Sequence, residues 1–244
     1  MGRGSLPSLR ALPRFFFPEH PWEAGVEVGD SIPLPREELN KLHKVLRLGP
    51  GEQILVLPGD GRAFRCELRG DVAIALSQET IDTEARYHLT LAQAFPKADK
   101  LDEVVRMGTE LGVARFLIFP SDRSIVRWDA GKLQDRLRRL RTIAREAAEV
   151  CFRTRLPEIM PLGSQAELLK LEPDAIVLSE FEGISGCLRE RLPADRATLV
   201  IGPEGGWAPR EVVLIGDRAV SLGPRVLRVD TAAAAAAVLA LLGR

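Results

Sequence analysis

The chain has 244 residues, 45% of them apolar and 28% charged, which suits one large domain or two small ones and argues against intrinsic disorder. Lys plus Arg and Asp plus Glu each number 34, so the formal net charge is zero and a uniformly basic nucleic-acid coat is excluded. Cys66, Cys151 and Cys187 are scattered, as are the histidines, which argues against a disulfide scaffold or a zinc finger and predicts free thiols and no metal.

The N-terminal stretch is broken by Pro7 and Pro13 and holds no continuous apolar segment of leader length. The longest apolar run, Ala232 to Leu242, is too short to span a bilayer. The expectation is a soluble cytoplasmic protein with no membrane partner. Short alternating segments at Ser31–Leu34, Glu52–Leu57, Arg62–Arg69 and Val72–Ser77 predict strands, with Gly-Pro-Gly and Gly-Asp-Gly turns between them. Arg36–Leu46 predicts a helix, because Leu39, Leu42, Val45 and Leu46 form a stripe of period 3.6. Together these predict a small β-barrel over residues 1–80.

A polar stretch, Gln78–Arg86, predicts a linker, after which the period changes. A strand at His88–Phe95 precedes an amphipathic helix at Lys100–Leu111 that ends at Gly112. Arg115–Phe119 predicts a strand and Ala130–Cys151 a long helix. Ala175–Leu178, Thr198–Ile201 and Ala219–Leu222 predict further strands, each followed by a helix, the last over Thr231–Leu242. Such alternation over 81–244 predicts an α/β domain with a mainly parallel sheet.

Ligands of parallel sheets bind beyond the carboxyl ends of the strands. Three such ends draw attention: Leu178-Ser179-Glu180, then Ile201-Gly202-Pro203-Glu204-Gly205-Gly206-Trp207, then Leu222-Gly223-Pro224-Arg225-Val226-Leu227-Arg228. The glycines permit close backbone approach and the prolines stiffen the loops, so two such loops facing each other make a pocket of main-chain polar groups. That pocket suits a flat purine better than a string of phosphates, and neither a dinucleotide nor a P-loop spacing is present. Two tight turns without a ligand are the plain alternative. Arg225 and Arg228 suit a polyanion or a reaction centre, and Glu204 could pair with either.

Cations cluster at Arg10 and Arg14, at Lys41, Lys44 and Arg47, at Arg123 and Arg127, and at Arg153 and Arg155. A further basic run, Lys132 to Arg145, lies on a helix whose other face carries Leu133, Leu137 and Leu140, as an RNA-facing or simply solvated helix would. The run Ala232–Ala237 admits close helix approach, and a homodimer contact is one reading of it.

The order of the two glycine loops, followed by Asp230-Thr231-Ala232 at a helix start, resembles the SPOUT-class knotted methyltransferases. More narrowly it resembles the bacterial 16S ribosomal RNA (uracil-N3)-methyltransferase family. Lys97 to Lys100, Glu110-Leu111-Gly112-Val113, Ser121-Asp122-Arg123-Ser124, Glu146 to Glu149 and Arg155-Leu156-Pro157-Glu158 fit the same pattern. In the first eighty residues Arg14-Phe15-Phe16 and Val45-Leu46-Arg47 fit that family's PUA-like RNA-binding barrel. The chain departs from the pattern at Val150-Cys151-Phe152 and Val229-Asp230-Thr231.

The resemblance implies a deep trefoil knot in the second domain and a homodimer acting on 16S ribosomal RNA or the small ribosomal subunit. It implies S-adenosyl-L-methionine held by Leu178, Ser179, Glu180, Ile201, Gly202, Pro203, Gly205, Gly206, Leu222, Gly223, Val226 and Leu227. It assigns Arg228 or Arg225 to a uracil anion, Glu204 to proton transfer or orientation, and RNA contact to Arg10, Arg14, Lys44, Arg47, Arg123 and Arg153. A non-catalytic knotted RNA-binding protein and a ribose 2′-O-methyltransferase remain open as alternatives.

Overall fold

The structure is a computed structural model that describes residues 8–22, 25–97, 99–180 and 186–242. The N-terminal stretch through Pro7 lies outside the described residues. The chain divides into two compact units, Met1–Glu84 with Ala148–Leu156, and Ala85–Ala147 with Pro157–Arg244. The expected domains divide at 80/81, within a linker over Gln78–Arg86, and have no counterpart for the return of Ala148–Leu156 to the first unit.

Among the described residues of the first unit, five strands form one sheet: β1 (Arg14–Phe16), β2 (Ser31–Pro33), β3 (Gln53–Leu57), β4 (Ala63–Arg69) and β5 (Val72–Glu79). Their order is β1-β3-β4-β5-β2, with β1 parallel to β3 and the other pairs antiparallel. Both faces are covered. Phe15, Ile54, Val56, Phe64 and Cys66 pack on one side, whereas Phe16, Leu57 and Ala63 pack with Ala148 on the other. β1 therefore carries adjacent phenylalanines rather than an alternating pattern, which hid it from a search for period two.

Helix α1 (Arg36–Asn40) passes directly into a wider turn, Lys41–Val45, in which the Leu46 N–H donates to the Lys41 carbonyl at 3.0 Å. This corrects the expected stripe. Leu42 is buried and Leu39 half-buried, but Val45 and Leu46 are 72% and 42% exposed. Bonding from i to i+5 adds a residue to the turn and rotates the side chains after it off the buried face.

The returning segment is fastened by carboxylates. Glu149 accepts from the Phe16 N–H at 3.4 Å and from Lys41 Nζ at 2.8 Å. Glu84 accepts from the N–H groups of Thr154 and Arg155, at 2.7 and 2.9 Å, and from the Arg153 guanidinium at 3.1 Å. Phe152 has φ +69°, and the Arg14 guanidinium lies 3.4 Å from the centre of its ring. Burial pulls the Arg14 pKa below its ordinary value.

Among the described residues of the second unit, six strands form a wholly parallel sheet: β6 (His88–Ala94), β7 (Arg115–Phe119), β8 (Glu158–Pro161), β9 (Ile176–Leu178), β10 (Arg196–Ile201) and β11 (Ala219–Val220). The order is β11-β9-β10-β6-β7-β8. Helices α2 (Lys100–Leu111), α3 (Ala130–Val150), α4 (Gln165–Leu171), α5 (Leu188–Arg191), α6 (Pro209–Ile215) and α7 (Val229–Leu241) alternate with them. The α/β class with a parallel sheet is thus as expected. Leu89, Leu91, Phe116, Ile118 and Leu199 bury one face, and Ala92, Leu117, Phe119, Val177 and Val200 bury the other. The order sets β11, β9 and β10 side by side, so the loops leaving their carboxyl ends are neighbours.

Candidate functional site

At that edge the second unit holds a pocket of about 510 Å³. All three strand-end loops line it. Leu178, Ser179 and Glu180 follow β9. Ile201, Gly202, Pro203, Glu204, Gly205 and Gly206 follow β10, and Leu222, Gly223, Arg225, Val226, Leu227 and Arg228 follow β11. Arg123, Trp207, Ser221, Val229 and Ala232 complete the wall. Residues expected to act together from three separate stretches of sequence therefore meet in one cavity.

The β10 loop needs Gly202 and Gly205 for reasons of space. A Cβ on Gly202 would sit 3.0 Å from the Trp207 indole, which is buried, stacks on Phe119 with centroids 6.4 Å apart, and donates to the Leu178 carbonyl at 3.4 Å. A Cβ on Gly205 would meet the Arg123 Cβ at 3.2 Å and its carbonyl at 3.4 Å, while Arg123 Nη1 donates to the Gly205 carbonyl at 3.0 Å. The loop is thus clasped from both sides, and its free polar edge is main chain.

Sequence reasoning missed the residues that hold these loops. Gln93 is fully buried on β6, and its Nε2 faces three carbonyls: Ala94 at 2.8 Å, Gly202 at 3.3 Å and Ile201 at 3.4 Å. The signal was a single amide inside the apolar run Leu89–Phe95. Glu211 is buried at the start of α6 and accepts from the Ala208 N–H, the Asp122 N–H and the Ser121 hydroxyl, at 2.9, 3.1 and 3.1 Å. It ties the loop after β7 to the loop after β10. Glu204 accepts from the Lys97 N–H through both carboxylate oxygens.

Lys100 Nζ contacts Asp230 Oδ2 at 2.8 Å, and the ammonium holds the Asp230 carboxyl below its ordinary value. Ser179 donates its N–H to the Val220 carbonyl, while its hydroxyl is buried against the pocket with no partner among the described residues. Arg225 and Arg228 are exposed at the mouth and form no ion pair among the described residues.

The cations expected to touch RNA divide into two groups. Arg10, Lys44, Arg47 and Arg123 are exposed. Arg14 and Arg153 are buried, the one beneath Phe152 and the other beside Glu84, which leaves neither guanidinium free for a phosphate. The basic helix is also engaged internally. Arg136 and Arg139 both contact the buried Asp102 of α2, and Arg138 pairs with Asp135. Ala233, Ala236, Ala237 and Ala240 are buried within the unit, where α7 packs on α2.

Comparison with known proteins agrees with this geometry. Residues 83–241 match the RNA methyltransferase domain family. The ribosomal RNA small subunit methyltransferase E of Bacillus subtilis is 31% identical over 225 residues, covering 85% of this chain and 88% of that protein. Its counterpart in Mycobacterium tuberculosis is 33% identical over 206 residues, covering 79% of each chain. The crystal structure of the Neisseria gonorrhoeae protein of that name, bound to S-adenosyl methionine, superposes with a TM-score of 0.80 at 30% identity, covering 93% of this chain and 95% of that one. The chain belongs to the RNA methyltransferase domain family, beside the ribosomal RNA small subunit methyltransferases E.

Proposed function

We propose that this protein transfers a methyl group from S-adenosyl-L-methionine to N3 of a uridine in 16S ribosomal RNA. The observation that carries the reading is the meeting of three strand-end loops in one pocket of about 510 Å³, a volume in the range of small-molecule sites. The walls fit a nucleoside donor: stiff glycine loops offer main-chain groups to a purine edge, and the buried Ser179 hydroxyl offers a further polar group.

Leu178, Ser179 and Glu180, the Ile201–Gly206 loop, and Leu222, Gly223, Val226 and Leu227 would hold the donor. When bound, S-adenosyl-L-methionine supplies an electrophilic methyl group on a sulfonium. The chain's own work is orientation and electrostatics. Uracil N3 is a weak acid and must lose its proton to become nucleophilic. Arg228, with Arg225 in the same loop, offers positive charge that is unpaired among the described residues to the resulting anion. Glu204 is tethered to the Lys97 N–H through both oxygens, which favours orientation over proton transfer.

The same reading takes the first unit as a PUA-like RNA-binding barrel and the second as a knotted domain that pairs with a second copy. It places the protein in the cytoplasm; among the described residues no helix is long and apolar enough to cross a membrane. Arg10, Lys44, Arg47 and Arg123 are its RNA contacts. Calorimetric titration with S-adenosyl-L-methionine tests it. Saturable binding is expected for the wild type, with loss in Gly205→Val, whose side chain must displace Arg123. No binding by the wild type at millimolar donor overturns the enzyme reading.

A further inference from the structure

The turn after α1 carries an apolar tip that nothing among the described residues of the first unit covers. Val45 and Leu46 are 72% and 42% exposed. Continued α-helical winding would have kept both on the stripe of Leu39 and Leu42, so the wider turn gives up burial that was within reach. The turn is nevertheless well held. The N–H of Leu46 donates to the Lys41 carbonyl and that of Leu48 to the Leu42 carbonyl, both at 3.0 Å, and His43 Nδ1 lies 3.0 Å from the Leu48 carbonyl. Arg47 sits in the left-handed region with φ +57°, a conformation that costs energy in a residue with a long side chain. A strained, internally braced turn that turns two aliphatic chains outward has the character of a contact surface.

Charge indicates the partner. Lys44 precedes the apolar pair and Arg47 follows it. Both are exposed, and among the described residues neither is ion-paired. An anionic polymer with flat apolar faces between its charges matches that sequence of groups, which is the chemistry of a nucleic-acid strand with a base out of its stack.

We propose that Val45 and Leu46 form a wedge that packs on an unstacked base of the RNA substrate, with Lys44 and Arg47 holding the phosphates on either side. The proposal rests on the RNA methyltransferase reading and adds a place that holds an unstacked base, remote in sequence from the glycine loops. Base opening is needed wherever N3 of a paired uracil must be reached.

Fluorescence anisotropy on the full-length protein tests it, using a labelled RNA hairpin with an unpaired uridine loop and the corresponding fully paired duplex. In the double variant Val45→Asn/Leu46→Asn the hairpin affinity is expected to fall about tenfold, with duplex affinity nearly unchanged. Arg47→Gly keeps the left-handed backbone and removes the guanidinium. It should lower the slope of log affinity against log salt by about one for both RNAs. Donor binding by calorimetry, unchanged in both variants, reports an intact fold. Wild-type hairpin affinity in the Val45/Leu46 variant overturns the wedge while leaving the enzyme reading in place. A shift in oligomeric state by light scattering in that variant also overturns it, by making the patch a contact between copies. A wild type that binds neither donor nor hairpin overturns both readings together.

Discussion

The N–H of Lys97 points between the two carboxylate oxygens of Glu204, at 3.0 Å from one and 3.2 Å from the other. A charged acceptor held by a main-chain donor is a stiff joint, and this one fastens the loop leaving β6 to the loop leaving β10. Its consequence is that Glu204 serves the pocket as a tie. Glu204→Gln keeps an acceptor oxygen and should retain methyl transfer within about threefold, whereas Glu204→Ala should raise the donor KM on the order of tenfold. Steady-state kinetics decide the matter. A collapse of kcat in Glu204→Gln with donor KM unchanged assigns proton transfer to this carboxylate instead.

Gln93 offers a second joint, from inside the sheet. Its amide reaches the carbonyls of Ile201 and Gly202 from below the loop. Gln93→Met fills the same space without a donor, so three carbonyls lose a partner. The donor KM should rise about tenfold, and the unfolding midpoint should fall by roughly 3 °C. An unchanged KM in a variant with the lowered midpoint reduces Gln93 to ordinary core.

In the proposed mechanism Arg228 meets the negative charge on the base. Arg228→Ala should lower kcat at saturating RNA by a factor of about 100, in line with the loss of one preorganised charge at a reacting centre. Arg225→Ala, made in parallel, shows whether the two guanidiniums share the task. Full turnover in both single variants removes the electrostatic role.

The Lys100–Asp230 pair has a pH signature. Because the ammonium lowers the Asp230 pKa in the folded protein, the pair's contribution is complete above the unfolded carboxyl's pKa, about 3.9. It is lost as pH falls through the lowered folded value. Asp230→Asn should thus be less stable than the wild type in urea at pH 7, and the difference should shrink progressively below about pH 4. An equal difference at both ends of that range means the effect comes from packing.

Burial pushes the Cys66 thiol up to about 12. Cys187 is exposed and Cys151 half-buried, so alkylation at about pH 8, near the ordinary thiol pKa, should label Cys187 first and Cys66 only on unfolding. Peptide mass spectrometry over time gives the order. Early labelling of Cys66 means the first sheet opens without global unfolding.

Much of the second unit was legible because β/α alternation writes itself into composition: continuous apolar strands, amphipathic helices, and glycine with proline where loops leave the sheet. The strand Glu158–Pro161 was lost because an edge strand of so few residues, ending in proline, leaves little pattern. In the first unit the period of 3.6 placed Val45 and Leu46 in the core, and the wider turn put them outside. A turn that changes its own period cannot be found by assuming one. The pocket-lining loops were visible in sequence, but the tasks of Gln93, Glu211 and Lys100 were not. Their roles come from contacts with residues as distant in the chain as Gly202, Ser121 and Asp230, and no local spacing encodes such contacts.

Glu84 and Glu149 have a bearing on how the protein is made. The first unit includes Ala148–Leu156, so its leading stretch leaves the ribosome without the segment that Glu84 and Glu149 fasten to it. Its completion waits until residue 156 has left the ribosome, and β6, α2, β7 and most of α3, which belong to the second unit, come before that residue in the chain. An excised Met1–Glu84 fragment would expose Phe16 and Leu57 where Ala148 now packs. Any attempt to isolate the first unit must therefore carry the returning strap, joined by a linker or added as a separate peptide.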